Sequence, residues 1–230
     1  MSRVHTCRFP TSTSPPKIDS GNRNRDLKQD ERMTSEVNLM PLVEGRTLER
    51  QSVLETAKVM LVAARTAPKT GGVDDILTCL VDGDELTSIA KTMDEIGDEW
   101  GIEGFHRDAK NLKDSDAVIL IGVRGGNKYG LNCGACGYNT CVEFERMEKS
   151  EGSYFVGPTC LFKALDLGIA LGSAAKMASV LNVDNRIMCR IGAAAVRLRM
   201  LPEATVIMGI PVSAKGKSIY YDRVWSPSKK

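Results

Sequence analysis

The stretch Asp116-Ala117-Val118-Ile119-Leu120-Ile121-Gly122-Val123 decides the fold class of this chain. Its apolar residues follow one another without the polar alternation of a half-exposed strand. Such a run is typical of a strand that is covered on both faces. We therefore predict a strand over residues 116–123 in the interior of a layered domain.

The sequence on either side of this strand predicts further helices and strands. Apolar residues recur at three- and four-residue spacing over 48–64, which predicts an amphipathic helix, and the short apolar run 76–81 predicts a buried strand. Further helices are predicted over 85–96, 162–181 and 191–200, with a strand over 205–210 that ends before Pro211. Gly168 and Gly172 are expected to let another backbone approach helix 162–181 closely. This order predicts an α+β domain.

Length and composition limit the domain count and the classes of partner. The chain has 230 residues, enough for one main domain. Residues 1–36 are polar and Pro-containing and are predicted to be a disordered tail, with Met33 as a candidate start; residues 37–230 are predicted to be the domain. The 31 Lys+Arg nearly balance the 29 Asp+Glu, so we expect no nucleic-acid partner. The longest apolar run, 165–181, contains charges and is too short to cross a membrane.

Four of the seven cysteines carry the functional prediction. Cys133, Cys136, Cys141 and Cys160 have the spacing C-x2-C-x4-C-x18-C, so three thiols from one loop and a fourth from downstream can reach one inorganic core. A glycine follows each of the first two cysteines and lets the chain pass close to such a core. Thr140-Cys-Val-Glu143 has the pattern of a capping box, which predicts a helix that begins at Cys141.

Other uses of these thiols remain open from the sequence alone. Zinc also binds four cysteines, but structural zinc sites favour two C-x2–4-C pairs, and Cys160 is isolated. A plant-type two-iron cluster uses the reverse order of gaps. Two disulfides would require an oxidising compartment, whereas an odd, clustered set of cysteines favours a reducing one. The pattern therefore favours a four-iron cluster in a cytoplasmic protein.

The cysteine segment resembles a known domain. Cys133-Gly-Ala-Cys136-Gly-Tyr-Asn-Thr-Cys141, with Cys160 downstream, is similar to the C-G-x-C-G-x-x-x-C four-iron-four-sulfur domain of electron-transport subunits and corrinoid iron-sulfur proteins. Residues 45–225 as a whole resemble a family of ferredoxin-domain proteins from anaerobes. The resemblance implies a [4Fe-4S] cluster held by these four cysteines.

A second resemblance surrounds that segment. Residues 63–72, residues 166–172 and Met208-Gly-Ile-Pro211 with Lys215 are similar in order and spacing to flavin-dependent nitroreductases. The likeness implies a nitroreductase-like layered sheet with helices on both faces, an iron-sulfur segment inserted at 127–165, FMN as a candidate cofactor and a homodimer. Thr70, Gly71 and Lys215 would be the matching flavin positions. The arginine-rich phosphate motif of that family is reduced here to Glu44-Gly-Arg46-Thr.

The combined prediction is an iron-sulfur redox protein that transfers single electrons, with a flavin-linked oxidoreductase as the candidate enzyme class. Its partner would be a redox protein or a small electron donor. The alternative is a structural or regulatory zinc module without redox activity. His106 has no partner set for catalysis, and Cys79 and Cys189 are expected to be buried small side chains.

Overall fold

The computed structural model describes residues 42–221. The predicted tail at 1–36 and its candidate start Met33 lie outside these residues. Within the described range the helices are α1 (Gly45–Thr66), α2 (Gly83–Trp100), α3 (Glu103–Lys113), α4 (Cys141–Arg146), α5 (Leu161–Val180) and α6 (Cys189–Arg197). The strands are β1 (Ile76–Val81), β2 (Ala117–Val123), β3 (Ser150–Glu151), β4 (Val156–Gly157), β5 (Asp184–Asn185) and β6 (Val206–Ser213). A 3-10 turn covers Thr70–Gly72.

The main sheet has four strands in the order β1-β2-β6-β5, and each neighbouring pair is antiparallel. Strand β2 lies between β1 and β6, and all seven of its residues are buried. The prediction of a strand covered on both faces at 116–123 is therefore confirmed. Strands β3 and β4 form a separate two-stranded hairpin.

Successive side chains of β2 point to opposite faces of the sheet and enter two different cores. Val118 and Leu120 lie in a core shared with α2, α3 and α6. Ile119 and Ile121 lie in a second core, formed with α1 and α5. Helices thus cover both faces of the sheet, and the predicted α+β class is confirmed.

The structure differs from the predictions in helix α3, in the short strands β3, β4 and β5, at Pro211 and at two glycines of α5. Helix α3 was not predicted, although Phe105, Ala109 and Leu112 form its fully buried stripe. Strand β6 continues through Pro211, which lies opposite Val118, because the short strand β5 pairs only with the two residues that follow the proline. Gly168 and Gly172 of α5 are exposed with open space where a Cβ would stand, so no backbone of the described chain approaches them.

The sheet and α5 together position the cysteine segment. The chain leaves β2 at Val123, passes through the cysteine loop, α4 and the β3–β4 hairpin, and enters α5 after Cys160. The Cys160 N–H donates to the Gly125 carbonyl at 2.8 Å, which joins the start of α5 to the end of β2. Both ends of the segment are therefore held at the same edge of the core. No helix in residues 42–221 is long and apolar enough to cross a membrane.

Gly192 tests the packing of α6 on the sheet. A Cβ at this position would stand 1.7 Å from the Ile207 carbonyl oxygen of β6. We expect Gly192→Ala to lower the free energy of unfolding by about 1–3 kcal/mol or more, because backbone has to move to admit the methyl group. Urea unfolding measures the change. Gly45→Ala is the matched control, since its Cβ would make an ordinary 3.7 Å contact with Glu49, and an equal loss in both variants would contradict the packing argument.

Candidate metal centre

The four predicted cysteines line one pocket. Cys133, Cys136, Cys141 and Cys160 all contribute to its wall, together with Phe144. Cys133 is exposed, Cys136 and Cys141 are partly buried, and Cys160 is buried. Cys79 and Cys189, the other two cysteines of the described range, are not among the lining residues. The fold thus brings the sequence-distant Cys160 to the loop that carries the other three.

The chain turns tightly at the two glycines that follow Cys133 and Cys136. Gly134 and Gly137 have φ values of 73° and 88°, in the left-handed region that favours glycine. The Gly137 N–H donates to the Gly134 carbonyl at 2.9 Å and closes the turn. A side chain at either position would strain the backbone, so the glycines allow Cys133 and Cys136 to line the same pocket.

Helix α4 begins at Cys141, as the capping box predicted. The Glu143 N–H donates to the Thr140 hydroxyl at 3.1 Å, and the Thr140 N–H donates back to the Glu143 carboxylate at 3.3 Å. These two bonds satisfy N–H groups that a helix start otherwise leaves unpaired. The cap therefore fixes the backbone on both sides of the third cysteine.

Asn132 is a site residue that the sequence analysis missed. Its side-chain oxygen accepts a hydrogen bond from the Cys141 N–H at 2.8 Å, and its own N–H points at the Cys141 sulfur at 3.3 Å. The residue adopts a φ of 51°, a conformation that asparagine tolerates better than most residues. An asparagine directly before Cys133 was the available signal. It ties the start of the cysteine loop to α4.

Cys160 occupies the N-cap position of α5. The next two residues, Leu161 and Phe162, also line the pocket, so the first turn of this 20-residue helix lies at the site. The first N–H groups of a helix lack partners within the helix and carry partial positive charge. The start of α5 is therefore suited to an anionic group.

Two buried polar contacts hold the start of α5 in place. The Lys163 ammonium, 1% exposed, faces the Asp75 carboxylate at 2.6 Å without an aligned hydrogen bond. Asn127 donates to the same carboxylate at 2.6 Å. One turn later, Asp166 accepts hydrogen bonds from the N–H and the hydroxyl of Thr70 at 2.8 and 2.7 Å. These contacts connect α5 to the loop after α1 and to the segment after β2.

Lys149 lies behind the pocket. Its ammonium nitrogen is 3.9 Å from the centroid of the Phe144 ring, is shielded from solvent, and has no hydrogen-bond partner among the described residues. Burial lowers the pKa of the Lys149 amine, and the charge of Cys136 opposes that shift. Lys128, on the wall of the pocket, is instead paired with Glu145 at 2.5 Å.

The pocket walls do not form a ready-made site for a single ion. Among residues 42–221, no three His, Cys, Asp or Glu side chains are grouped closely enough to hold one metal ion. Three properties nonetheless suit a larger anionic core bound by thiolates: four thiols around one space, the N-terminal end of α5, and the Lys149 ammonium, which pairs with no carboxylate of residues 42–221. The residues present therefore fit an iron-sulfur cluster.

Lys215 lies far in space from Thr70 and Gly71, the other two positions that matched the flavin enzymes. Lys215 lies in a cleft with Arg46 and Arg50, at the start of α1. Thr70 and Gly71 follow the end of α1, where Gly71 lies against Tyr129. Helix α1 has 22 residues and is about 33 Å long. Within one chain, a flavin cannot contact both sets.

Comparison with known proteins identifies the family. A family model described as "Uncharacterized protein containing a ferredoxin domain (DUF2148)" matches residues 156–223. A curated protein of Archaeoglobus fulgidus, named "Uncharacterized protein", is 46% identical over 182 residues, which cover 79% of this chain and 97% of that protein. This chain belongs to the DUF2148 family. The matched range includes Cys160, whereas the other three predicted ligands precede residue 156.

Solved structures similar to this family member include oxidoreductases and a nitroreductase. They include "the oxidoreductase containing FMN" (TM-score 0.46, 14% identity, 71% of this chain and 67% of that chain), nitroreductase A from Vibrio parahaemolyticus (0.44, 12%, 71% and 59%) and the NADPH:FMN oxidoreductase from Vibrio harveyi (0.41, 12%, 71% and 60%). The sequence predicted neighbours of this kind. With TM-scores below 0.5, these similarities do not assign a cofactor or an activity to this chain.

Thr140 provides a local test of the site. Thr140→Ala removes the hydroxyl that accepts from Glu143, and the loss of such a cap costs about 1 kcal/mol. We expect the amides of α4, including Phe144, to exchange with solvent roughly fivefold faster, since local opening becomes easier. Hydrogen exchange by mass spectrometry measures the rates. Thr140→Ser retains the acceptor and should exchange like the wild type; identical rates in all three proteins would contradict the capping role.

Proposed function

We propose that this chain is an iron-sulfur redox protein that holds one [4Fe-4S] cluster through Cys133, Cys136, Cys141 and Cys160. The observation that carries the proposal is the convergence of four thiols from a glycine-rich loop and a helix start on one pocket. Membership of a ferredoxin-domain family supports the same class of function. When bound, such a cluster accepts one electron from a donor and passes it to an acceptor.

The surroundings of the thiols support the proposal electrostatically. Four thiolates on a 2+ core give a net charge of about −2. The N-terminus of α5, at Cys160, offers partial positive charge to such an anion. The Asn132 N–H, directed at the Cys141 sulfur, is a donor of the kind that stabilises a thiolate ligand. Both contributions favour an anionic group over an empty pocket.

Exposure supports electron exchange with a partner. Cys133 is exposed, whereas Cys160 is buried at the sheet. A cluster held by both would therefore lie close to the surface on one side only. We propose that a redox protein or a small electron donor meets the chain at the Cys133 side. Cytoplasmic location belongs to the same proposal, because a reducing compartment keeps these thiols free for iron.

Substitution of the cysteines tests the proposal. After anaerobic purification we expect about four iron and four sulfide per chain, with a broad visible absorption band that bleaches on reduction. Serine at Cys133, Cys136, Cys141 or Cys160 should weaken iron retention at least as much as the roughly 10–100-fold caused by loss of an outer partner of a ligand. Iron analysis and absorption spectra measure both effects.

Cys79→Ser is the matched control for this series. Cys79 lies within β1, away from the pocket, and this variant should keep its iron. Equal loss of iron in all variants would remove the ligand assignment. A colourless protein with stoichiometric zinc would instead support the zinc module.

A basic cleft supports FMN as a second cofactor in the proposal. Arg46 and Arg50 of α1 and Lys215 after β6 supply three positive charges, against Glu49 and Asp116 in the same cleft. Arginine and lysine are the side chains that recognise phosphate groups. We propose that this cleft binds the FMN phosphate, which would make the protein a flavin-linked oxidoreductase.

A shared flavin requires two copies of the chain. Lys215 and the Thr70–Gly71 turn lie at opposite ends of α1, so one flavin contacts both only when they come from different chains. The exposed face of α5 is almost uncharged and supports association between copies. Its exposed residues are Leu161, Ala164, Leu165, Gly168, Ile169, Gly172, Lys176, Ser179 and Val180. A homodimer is therefore part of the proposal.

Gly168→Arg tests the dimer and the flavin together. The position is open within one chain, so the arginine should leave the fold intact while it places a charge in the proposed interface. We expect the wild type to sediment as a dimer with bound FMN, and the variant as a monomer that retains iron but at least about tenfold less FMN. Thr87→Arg, on the exposed face of α2, is the control. A wild-type monomer that binds FMN would contradict this arrangement.

A further inference from the structure

Lys149 has a shielded ammonium next to the proposed cluster site, and the proposed function has so far given it no role. It follows α4 and precedes β3, and its nitrogen lies over the face of Phe144. Phe144 is 1% exposed and lines the four-cysteine pocket from within α4. The Phe144 ring therefore contacts the ammonium and also forms part of the pocket wall, so the ammonium lies next to that wall.

The ammonium is poorly compensated where it lies. It has lost its water and has no hydrogen-bond partner among residues 42–221. Burial of a charge is costly unless a counter-charge or hydrogen bonds compensate for it, and an aromatic face compensates only in part. Lys128, on the same pocket, differs in both respects, because it is 40% exposed and paired with Glu145. No carboxylate of residues 42–221 pairs with Lys149, so an anion in the neighbouring pocket would compensate its charge.

Burial lowers the pKa of Lys149, and negative charge on the Cys136 sulfur acts against that effect and raises it. In the proposed function Cys136 is one of four thiolates around a core with a total charge of about −2. Phe144 contacts the Lys149 ammonium and lines the pocket that would hold this anion. The low polarity of the buried ring strengthens the attraction between the two charges relative to water.

We propose that Lys149 is the buried counter-charge of the cluster and raises its reduction potential. The inference rests on the proposed function and adds a tuning residue to it. Reduction brings in one electron from an external donor and makes the site more negative by one charge, with no bond formed or broken. A fixed cation stabilises the more negative state to a greater extent than the less negative one, so Lys149 favours the reduced form.

Potentiometric titration of the full-length, iron-loaded protein tests the proposal. In Lys149→Met the side chain keeps its length and its contact with Phe144 but loses the charge. We expect the ratio of reduced to oxidised protein at a fixed applied potential to fall about tenfold, which is a shift of about 59 mV for a one-electron couple. Lys149→Arg should remain near the wild type, because it keeps the charge.

Lys128→Met is the matched control. Its charge is solvent-exposed and paired, so its loss should shift the potential much less than the loss of the Lys149 charge. Equal shifts in the two variants would overturn a specific role for Lys149. Lys149→Gln replaces Lys149→Met in the same titration if the methionine variant does not fold.

Iron and sulfide analysis before each titration separates the two proposals. A wild-type protein without iron and sulfide would overturn both the proposed function and the role of Lys149. A fully loaded Lys149→Met protein with the wild-type potential would overturn the role of Lys149 alone. A fully loaded variant with a lowered potential, restored by Lys149→Arg, would support the counter-charge.

Discussion

Burial of β2 on both faces is the constraint on which the rest of this structure depends. All seven of its residues are buried, so each face of the strand needs its own layer of helices. Helix α5 belongs to one of these layers through Ala170, Ala174 and Ala178, which lie in the core with α1. Because the packing of this apolar face fixes α5, its first turn has a defined position beside the end of β2, and the last cysteine stands at that turn.

A short chain of contacts transmits this constraint to the pocket. Cys160 is bonded through its N–H to Gly125, just beyond β2, and Lys163 one turn on is paired with Asp75, just before β1. The loss of water by both charges offsets most of their attraction, so a buried ion pair adds little net stability. Removal of one partner is nonetheless strongly destabilising, because it leaves the other charge buried and unpaired. The main effect of the pair is therefore to orient α5. The exposed cysteine loop therefore closes on a rigid base. Its own order comes from local devices: the Gly134–Gly137 turn, the Thr140 cap and the Asn132 bonds.

The sequence predicted the parts of this structure that depend on local pattern. The apolar run 116–123, the helical spacing over 48–64 and the capping box at Thr140 each correspond to a periodicity or a short-range bond, and all three are present. Helix α3 has a buried stripe of the right spacing, but it is only 11 residues long and highly charged, so its pattern was weak. Pro211 and the open glycines of α5 depend on which strands and helices are neighbours, and no local rule specifies that.

The same division explains what was predicted of the site. The cysteine spacing indicated that four thiols bind one metal cluster, because cluster ligation requires cysteines at particular intervals in the sequence. Lys149 and Lys163 were not predicted, because a lysine near a metal motif is ordinarily a solvated surface residue and only the fold buries these two nitrogens.

The two lysines with shielded nitrogens also differ in whether a carboxylate compensates their charge. Lys163 faces Asp75, and the pair contributes structure with little net charge. Lys149 faces an aromatic ring and pairs with no carboxylate of residues 42–221, so its charge is not cancelled there. Polar groups at the start of α5 and the uncancelled ammonium act in the same direction, and both favour negative charge between them. The electrostatic character of the pocket is thus a product of the fold, whereas its thiols are a product of the sequence.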